Sequence, residues 1–452
     1  MIAGPTLPEV VRRVTWLTGR PAETPDWALG YSGSAMRYTD APDAQARMAG
    51  FLADLRRHRI PCSSFHLSSG YTSIGDRRYV FTWNRDKFPD PEAFIAGYAQ
   101  AGVRLIANIK PALLQDHPAF GTAAAAALLL SDANGVPVLE QFWDAAGAYL
   151  DFTNPATITW WQGQVTGQLL ARGIAATWND NNEFEIRNPR ALAHGFGRPF
   201  PAQEMKPLQT LLMLRASRAA QAAHAPDEPP FLISRAGAAG MQRYAQTWSG
   251  DNATSCETLK WNIPMGLGLA LSGVSNTGHD VGGFAGPRPD AELFIRWVGF
   301  GIFMPRFSIH SWNDDGTVNE PWMHPEVLED VRQLLALRSR LTPYLAACLA
   351  RYRNAYDPVI RPLFYEFPDD ARAWEATDSF RLGGALLVAP VVAPGVQACS
   401  VYLPAGTTWR DGWSGERFGG GICVRREAPF AKPPFFMRHG AAPVLEQALL
   451  SH

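Results

Sequence analysis

Between Trp27 and Ser311 the chain carries eight short, mostly apolar runs: WALGYSG (27–33), CSSFHLS (62–68), VRLIANIK (103–110), AATWND (175–180), FLISRA (231–236), QTWSGD (246–251), GVSNTGHD (273–280) and MPRFSIHS (304–311). None alternates strictly between apolar and polar, as expected of strands covered on both faces. Most are separated by stretches whose apolar positions return every three or four residues, the period of a helix. DAQARMAGFLADLRRHR follows the first run, DPEAFIAGYAQAG the second, and TITWWQGQVTGQLLARG precedes the fourth. PLQTLLMLRASRAAQAA precedes the fifth, CETLKWNIPMGLGLAL follows the sixth and DAELFIRWVGFGIF the seventh. PEVLEDVRQLLALRSRLTPYLAACLARYR closes the set, with Pro325 at the place where a helix tolerates it.

Strand–helix alternation repeated eight times predicts a (β/α)₈ barrel, an α/β fold. The stretch GAAGMQRYA between the fifth and sixth runs leaves room only for a short helix or turn. The segments 111–154 and 181–204 are long enough to wall a cleft. After Tyr352 the pattern changes to short β-rich runs broken by Pro, Gly and Asp, among them RPLFYEFPDD and SVYLPAGTTWRDGW. These predict an antiparallel β-sandwich, giving a catalytic barrel with a short lead-in over 1–352 and a sandwich domain over 353–452.

Polar groups gather at the C-terminal ends of the runs: Tyr31, Ser68, Lys110, Asp180, Arg235, Asp251, His279 with Asp280, and His310. Barrel enzymes build their active sites at that edge, where side chains from all eight strands converge. A purely structural barrel has little reason to collect so many polar groups there.

Bulk properties narrow the partners. The 452 residues suffice for a barrel of roughly 250 residues plus a smaller domain. The 41 Lys+Arg balance 42 Asp+Glu with no basic run, which argues against nucleic acid or an anionic membrane as partner. Five scattered cysteines form no CxxC pair, so neither a disulfide framework nor a structural metal site is expected, and a reducing, cytoplasmic setting is. The N-terminus lacks the basic-then-apolar order of a signal peptide. No apolar run reaches the ~18–20 residues of a membrane span. Fifteen tryptophans, several beside polar residues in TWNRD, TWND, TWSGD and HSWNDD, suit stacking on sugars or the filling of a large core.

The fourth and sixth runs each end in a tryptophan followed by a carboxylate, Trp178 before Asp180 and Trp248 before Asp251. Two carboxylates across a barrel mouth suit glycosidic cleavage, one attacking the anomeric carbon and the other protonating the leaving oxygen; retention needs them about 5–5.5 Å apart. Arg235 is placed to keep Asp180 ionised. Asp251, as the acid, is expected in a drier or more negative setting than Asp180. Capping of the following helices is the other use of such carboxylates.

These residues resemble glycoside hydrolase family 31, the α-glucosidase and α-xylosidase family, over essentially the whole chain. The family's nucleophile motif W-x-D-M-N-E reads here Trp178-Asn179-Asp180-Asn181-Asn182-Glu183, and its acid/base motif W-S-G-D reads Trp248-Ser249-Gly250-Asp251. SRAGAAGMQRYAQTWSGD puts the family's arginine on Arg235, Asn276–Phe284 puts a sugar-contacting histidine on His279 with Asp280 as support, and FTWNRDKFPDP is shared. The resemblance implies double displacement through a β-glycosyl–Asp180 intermediate with retention and no metal or organic cofactor. The implied substrate is an oligosaccharide or small α-glycoside, contacted by Arg235, His279, Trp178, Trp248, Ser68, Lys110, Tyr31 and Phe284. A homo-oligomer is compatible with it.

Three positions depart from the family pattern. Ser68 stands where an acid usually binds the outer hydroxyls, which alters selection at the sugar's 4- or 6-position. Lys110 stands before Pro111 where relatives often carry Asp; it complements an anionic substrate group or, the preferred expectation, pairs with Asp116 or another local acid. Asn181 replaces the usual Met. The first run begins within about 30 residues of Met1, so the family's N-terminal β-sandwich is expected to be missing. The readings that stay open are an α-glycosidase with α-glucosidase as default, a transglycosidase, an α-galactosidase or N-acetyl-α-galactosaminidase, and an inactive sugar-binding protein.

Overall fold

The computed structural model describes residues 2–142 and 144–440 together with Leu445 and Leu449. Eight parallel strands, β1 (Ser32–Ser34), β2 (Ser64–Leu67), β3 (Arg104–Ile109), β4 (Ala176–Asn179), β5 (Leu232–Ser234), β6 (Gln246–Trp248), β7 (Thr277–Val281) and β8 (Arg306–Ile309), form a closed barrel in the order β1-β8-β7-β6-β5-β4-β3-β2. All eight lie in or beside the apolar runs of the sequence. The chain divides into two compact units, one of Ser34–Asp54 and Ser64–Thr247, the other of the described residues in Met1–Gly33, Leu55–Ser63 and Trp248–His452.

In the first unit, β2 to β6 pair in sequence order, with Phe65 opposite Leu105, Asn108 opposite Trp178, Trp178 opposite Ile233 and Ile233 opposite Gln246. Two helices start on sequence signals. The helix Pro91–Gln100 carries Asp90 as its cap, accepting from Ala93 N at 2.9 Å, with proline in the first turn; Asn154 caps Pro155–Gln164 in the same way. Ala44–His58 and Lys206–His224 follow the predicted periods. The predicted helix over 157–173 is interrupted: after Gln164 it passes through a π turn (Val165–Leu169) and a 3₁₀ turn (Leu170–Arg172), and Gly173 ends it at φ 99°. Between β5 and β6 there is only the 3₁₀ turn Met241–Arg243, as the short gap requires. The segment after β3 folds into a small antiparallel sheet of Ala112–Leu114, Glu140–Gln141 and Ala146–Tyr149.

In the second unit, β1, β8 and β7 pair with Ser32 opposite Ser308 and Ser308 opposite Asp280. Cys256–Leu271 spans the predicted helix, with Ser255 accepting from Thr258 N at 3.0 Å, and Asp290 caps Ala291–Gly301. A long helix, Leu328–Ala355, closes the barrel sequence. Two elements differ from expectation. Trp27–Leu29 fall in a 3₁₀ turn (Asp26–Leu29), and the strand begins only at Ser32, because Gly30 passes hard against Ser63; a Cβ on it would lie 2.8 Å from the Ser63 Cβ. A helix over Leu7–Thr18, capped by Thr6, was not anticipated; it buries Val11 and Thr15 and leaves Trp16 and Leu17 exposed.

The C-terminal strands are β9 (Ile360–Arg361), β10 (Phe380–Leu382), β11 (Leu386–Val388), β12 (Ala398–Leu403), β13 (Thr408–Asp411), β14 (Arg417–Gly419), β15 (Ile422–Glu427) and β16 (Phe435–Arg438). Six form an antiparallel sheet in the order β9-β10-β11-β16-β13-β14, and β12 pairs with β15. Leu387, Trp409 and Phe436 of the large sheet share one core with Val401, Leu403 and Val424 of the small one, which makes the predicted sandwich. Among the described residues no helix is long and apolar enough to cross a membrane.

Candidate active site

In the first unit, Ser68, Lys110, Asp180 and Arg235 each follow directly on the last residue of a barrel strand. Asp180 is 8% exposed, and its amide donates to Ile109 O at 2.9 Å, a continuation of the β3–β4 ladder that fixes where the carboxylate starts. Its two oxygens are held differently. Oδ2 accepts from Asn108 Nδ2 at 3.1 Å and from Lys110 Nζ at 3.4 Å, while Oδ1 lies 3.5 Å from Arg235 Nε. Arg235 Nε is nearer to Glu183, donating to Oε1 at 2.6 Å. Burial pushes the Asp180 carboxyl up, but the charges of Lys110 and Arg235 and the hydrogen bonds from Asn108 and the Asn181 amide together outweigh it, so the group sits below the usual carboxylate range. Burial pushes the Lys110 ammonium down, against the pull of Asp180 and Asp144.

The loop after Asp180 is braced from several sides. Asn182 Nδ2 donates to Ser234 Oγ at 2.9 Å, its Oδ1 accepts from Ala236 N at 3.0 Å, and Thr210 Oγ1 donates to its carbonyl at 2.6 Å. Asn181 (φ 47°) and Phe184 (φ 53°) both take left-handed backbone, which asparagine accepts more readily than the β-branched residues. Behind them Ser217 Oγ donates to Asn179 Oδ1 and accepts from Trp161 Nε1. A cavity of about 190 Å³ opens beside this group, lined by Lys110, Asn181, Arg235, Asp144, Phe142 and Tyr149 among others. The sheet inserted after β3 supplies part of its wall, as the length of that insertion suggested.

Several sequence expectations are corrected here. Lys110 pairs with Asp180 and donates to Asn181 Oδ1; Asp116 is instead occupied by Arg77 and by Tyr79 OH at 3.0 Å. Ser68 is fully buried with its hydroxyl lacking a hydrogen-bond partner, and Ser69 and Thr72 line the cavity in its stead. Trp178 is 4% exposed, with its ring 6.0 Å from His66. Asn108, which no motif pointed to, is a direct partner of Asp180; its signal was its position two residues before Lys110 at the end of the same run, where alternate residues share a face.

The second unit holds the other residues. Gly250 turns the chain at φ 78° after β6, and Asp251 lies exposed on the loop beyond it, which excludes the drier of the two settings expected of it. A left-handed turn at the strand end carries the carboxyl out of the packed layer. Trp248, 4% exposed, lies under the Arg306 guanidinium, 5.5 Å from its ring centroid, and Arg306 pairs with the fully buried Asp280 at 3.2 Å. His279 turns the other way. Its ring stacks on Phe300 of Ala291–Gly301 and borders Gly266 of Cys256–Leu271, so it belongs to the helix layer and not to the strand ends. Burial first, and the Arg306 charge second, pull its pKa down to about 3.

His310, which directly follows β8, is the histidine at the strand ends, its ring 4.9 Å from that of Phe284. Phe284 is held by Asn252 O, which accepts from its amide at 2.8 Å, and its carbonyl accepts from Trp312 N at 2.6 Å. Tyr31 precedes β1 and so lies at the opposite end of its strand from the expected edge; its ring packs 6.1 Å from Phe307 and its carbonyl accepts from Ser63 N. Among the described residues no cluster of three or more His, Cys, Asp or Glu is gathered as metal ligands would be.

Comparison with known proteins agrees with this architecture. The chain is 32% identical over 451 residues to Alpha-glucosidase 2 of Bacillus thermoamyloliquefaciens, covering 98% of this chain and 56% of that protein. It is 30% identical to human Neutral alpha-glucosidase AB, covering 97% of this chain and 47% of that one. The chain thus spans about half the length of these relatives. A GH31 alpha-xylosidase from a soil metagenome, solved with xylose, superposes with a TM-score of 0.88 at 27% identity, over 99% of this chain and 68% of that one. The profile described as the Glycosyl hydrolases family 31 TIM-barrel domain matches residues 21–348, and that of the family's C-terminal domain matches 356–442. The chain belongs to glycosyl hydrolase family 31.

Proposed function

We propose that this protein is a retaining α-glycoside hydrolase, an α-glucosidase by default, in which Asp180 is the nucleophile and Asp251 the general acid/base. The observation that carries the reading is the state of Asp180: a buried carboxylate at a barrel-strand end, kept ionised by Lys110 and Arg235 and beside a cavity of sugar-ring scale. In the first step Asp180 attacks the anomeric carbon while Asp251 gives its proton to the leaving oxygen. In the second, water attacks the same carbon, Asp251 takes the water's proton, and the Asp180 carboxylate leaves. Exposure of Asp251 suits a group that must reach first the leaving oxygen and then the incoming water.

We assign sugar contacts to Arg235, Trp248 and Phe284, and to His310 in place of His279. The naming of the relatives as α-glucosidases supports glucose as the default sugar. Five free cysteines, with Cys423 exposed, suit a reducing, cytoplasmic setting. A panel of p-nitrophenyl α-glycosides (gluco, galacto, xylo, N-acetylgalactosamino and sulfoquinovo), run beside Asp180→Asn, tests the reading. Release from one sugar, abolished in the variant, is the expected result; near-normal turnover in the variant would overturn it.

A further inference from the structure

The two oxygens of Asp180 are not equivalent. Oδ2 has two donors on it, Asn108 at 3.1 Å and Lys110 at 3.4 Å. Oδ1 lies 3.5 Å from Arg235 Nε, a longer contact than the one the same guanidinium makes with Glu183 at 2.6 Å. Lys110 is itself held in place, because its ammonium also donates to Asn181 Oδ1, the side chain next along the loop. We propose that Lys110, held by Asn181, is a positioning residue that pins Oδ2 of Asp180 and leaves Oδ1 as the oxygen that bonds to the sugar. This assignment rests on Asp180 being the nucleophile, as set out above.

The charge has an unequal effect on the two chemical steps. When Oδ1 attacks the anomeric carbon and the leaving oxygen takes the Asp251 proton, the negative charge on Asp180 disappears. A cation on Oδ2 stabilises the starting carboxylate and therefore slows this step. When water attacks and the C1–Oδ1 electron pair returns to Asp180, the negative charge reappears, and the same cation speeds it. Lys110 thus trades rate in forming the glycosyl-enzyme for rate in releasing it. It also helps hold Asp180 ionised at low pH. The groups facing the pair include Asn108, the Asn181 amide and Arg235 about Asp180, and Asp144, Arg78 and Arg235 about Lys110.

The test compares wild type with Lys110→Met, Lys110→Arg, Asn181→Gly and Asp180→Asn on the aryl glycoside that the panel selects, following kcat and KM across pH and the intact mass during turnover. Glycine suits position 181 because its backbone is left-handed there. In Lys110→Met the acid limb of kcat/KM rises by about one pH unit, the lower end of what removing a neighbouring opposite charge does. Near neutral pH kcat falls roughly tenfold and KM falls further, so that kcat/KM rises, and the glycosylated protein accumulates. Asn181→Gly moves the same quantities less, and Lys110→Arg keeps the wild-type limb. Merely structural damage lowers kcat/KM at every pH without moving the limb. That result in Lys110→Met, or an unmoved limb with unchanged kcat, overturns the role of Lys110 while an inactive Asp180→Asn leaves the functional reading intact. Turnover by Asp180→Asn overturns both.

Discussion

His279 Nδ1 lies 2.8 Å from Ser249 Oγ, which joins a strand residue to the loop that carries Asp251. Ser249 Oγ in turn is 2.8 Å from Asn252 Oδ1, an oxygen that only accepts, so the hydroxyl donates there and takes its own hydrogen bond from His279 Nδ1–H. Asn252 Oδ1 also accepts from Asn262 Nδ2 at 2.9 Å. The residues on both sides of Asp251 are thereby tied to β7 and to the helix Cys256–Leu271. A histidine that sequence comparison would set against the sugar serves here as a strut, and it works as the neutral imidazole.

Neutrality has a consequence for stability. The folded pKa of His279 is about 3, against roughly 6.5 for an unperturbed imidazole. Between those values the unfolded chain binds a proton that the folded chain refuses. The contribution is therefore fully present above pH ~6.5 and is lost progressively as pH falls toward the folded value, by at most about 1.4 kcal/mol per pH unit. Urea midpoints measured from pH 7 to 4.5 should fall more steeply for wild type than for His279→Gln. Parallel curves would mean that the imidazole is not held neutral.

Gly283, just after β7, is a point where the chain allows only glycine. Its φ is 83°, and a Cβ there would lie 2.4 Å from Thr254 Oγ1 and 2.7 Å from Thr254 Cα. A backbone atom cannot swing away, so Gly283→Ala combines left-handed strain with a collision, and a loss of roughly 2–3 kcal/mol is expected. Gly286, at φ 106° with its nearest neighbour 3.8 Å away, isolates the strain alone. Thermal melting should rank Gly283→Ala well below Gly286→Ala. Equal melting points would show that Thr254 yields.

The barrel was legible because its strands are apolar runs between helical periods. Where a strand lacks apolar residues that signal moves: β1 is Ser-Gly-Ser, and the eye settles on Trp27–Leu29 upstream, which carried Tyr31 to the wrong end. The helix Leu7–Thr18 buries too narrow a face to announce itself and exposes Trp16 and Leu17. His279 and His310 could not be told apart because all five residues of β7 are buried, so polarity gives no phase for which side chains face the strands' interior. Lys110 was matched to Asp116 by nearness in sequence, whereas parallel strands bring it to Asp180, 70 residues away. Asp180 and Asp251 were recognisable from local motifs, but their different burial is a tertiary property.

Arg338 separates stability from activity. It is 1% exposed and gives hydrogen bonds to four backbone carbonyls, Leu29 (2.8 Å), Ile302 (2.8 Å), Met304 (2.5 Å) and Pro305 (2.8 Å). Burial pulls its pKa down to about 9, so it remains charged at neutral pH. These carbonyls precede β1 and β8, at the end of the barrel away from the catalytic edge. Arg338→Lys leaves part of the fork unmade, since one ammonium cannot span the four acceptors, and should cost about 3 kcal/mol. Turnover per folded molecule should stay unchanged. A fall in kcat without a fall in melting temperature would place Arg338 in a role the geometry does not suggest.

Asp251 offers the sharpest division between the two carboxylates. Its loop position and exposure suit proton transfer, and as the acid of the first step it must start protonated where Asp180 must start charged. If it is the acid, its removal matters in proportion to how badly the leaving oxygen needs a proton. A p-nitrophenolate leaves unaided, whereas a sugar or alkyl alkoxide does not. In Asp251→Ala, kcat/KM for the aryl glycoside should fall modestly, while that for the matching disaccharide or methyl glycoside should fall by roughly 10²–10⁴-fold, the range of general acid catalysis. Asp180→Asn should lower both alike, since every substrate needs the nucleophile. Initial rates on the paired substrates decide the matter, and equal losses in Asp251→Ala would remove the acid role from Asp251 and leave the proton to another group at the strand ends.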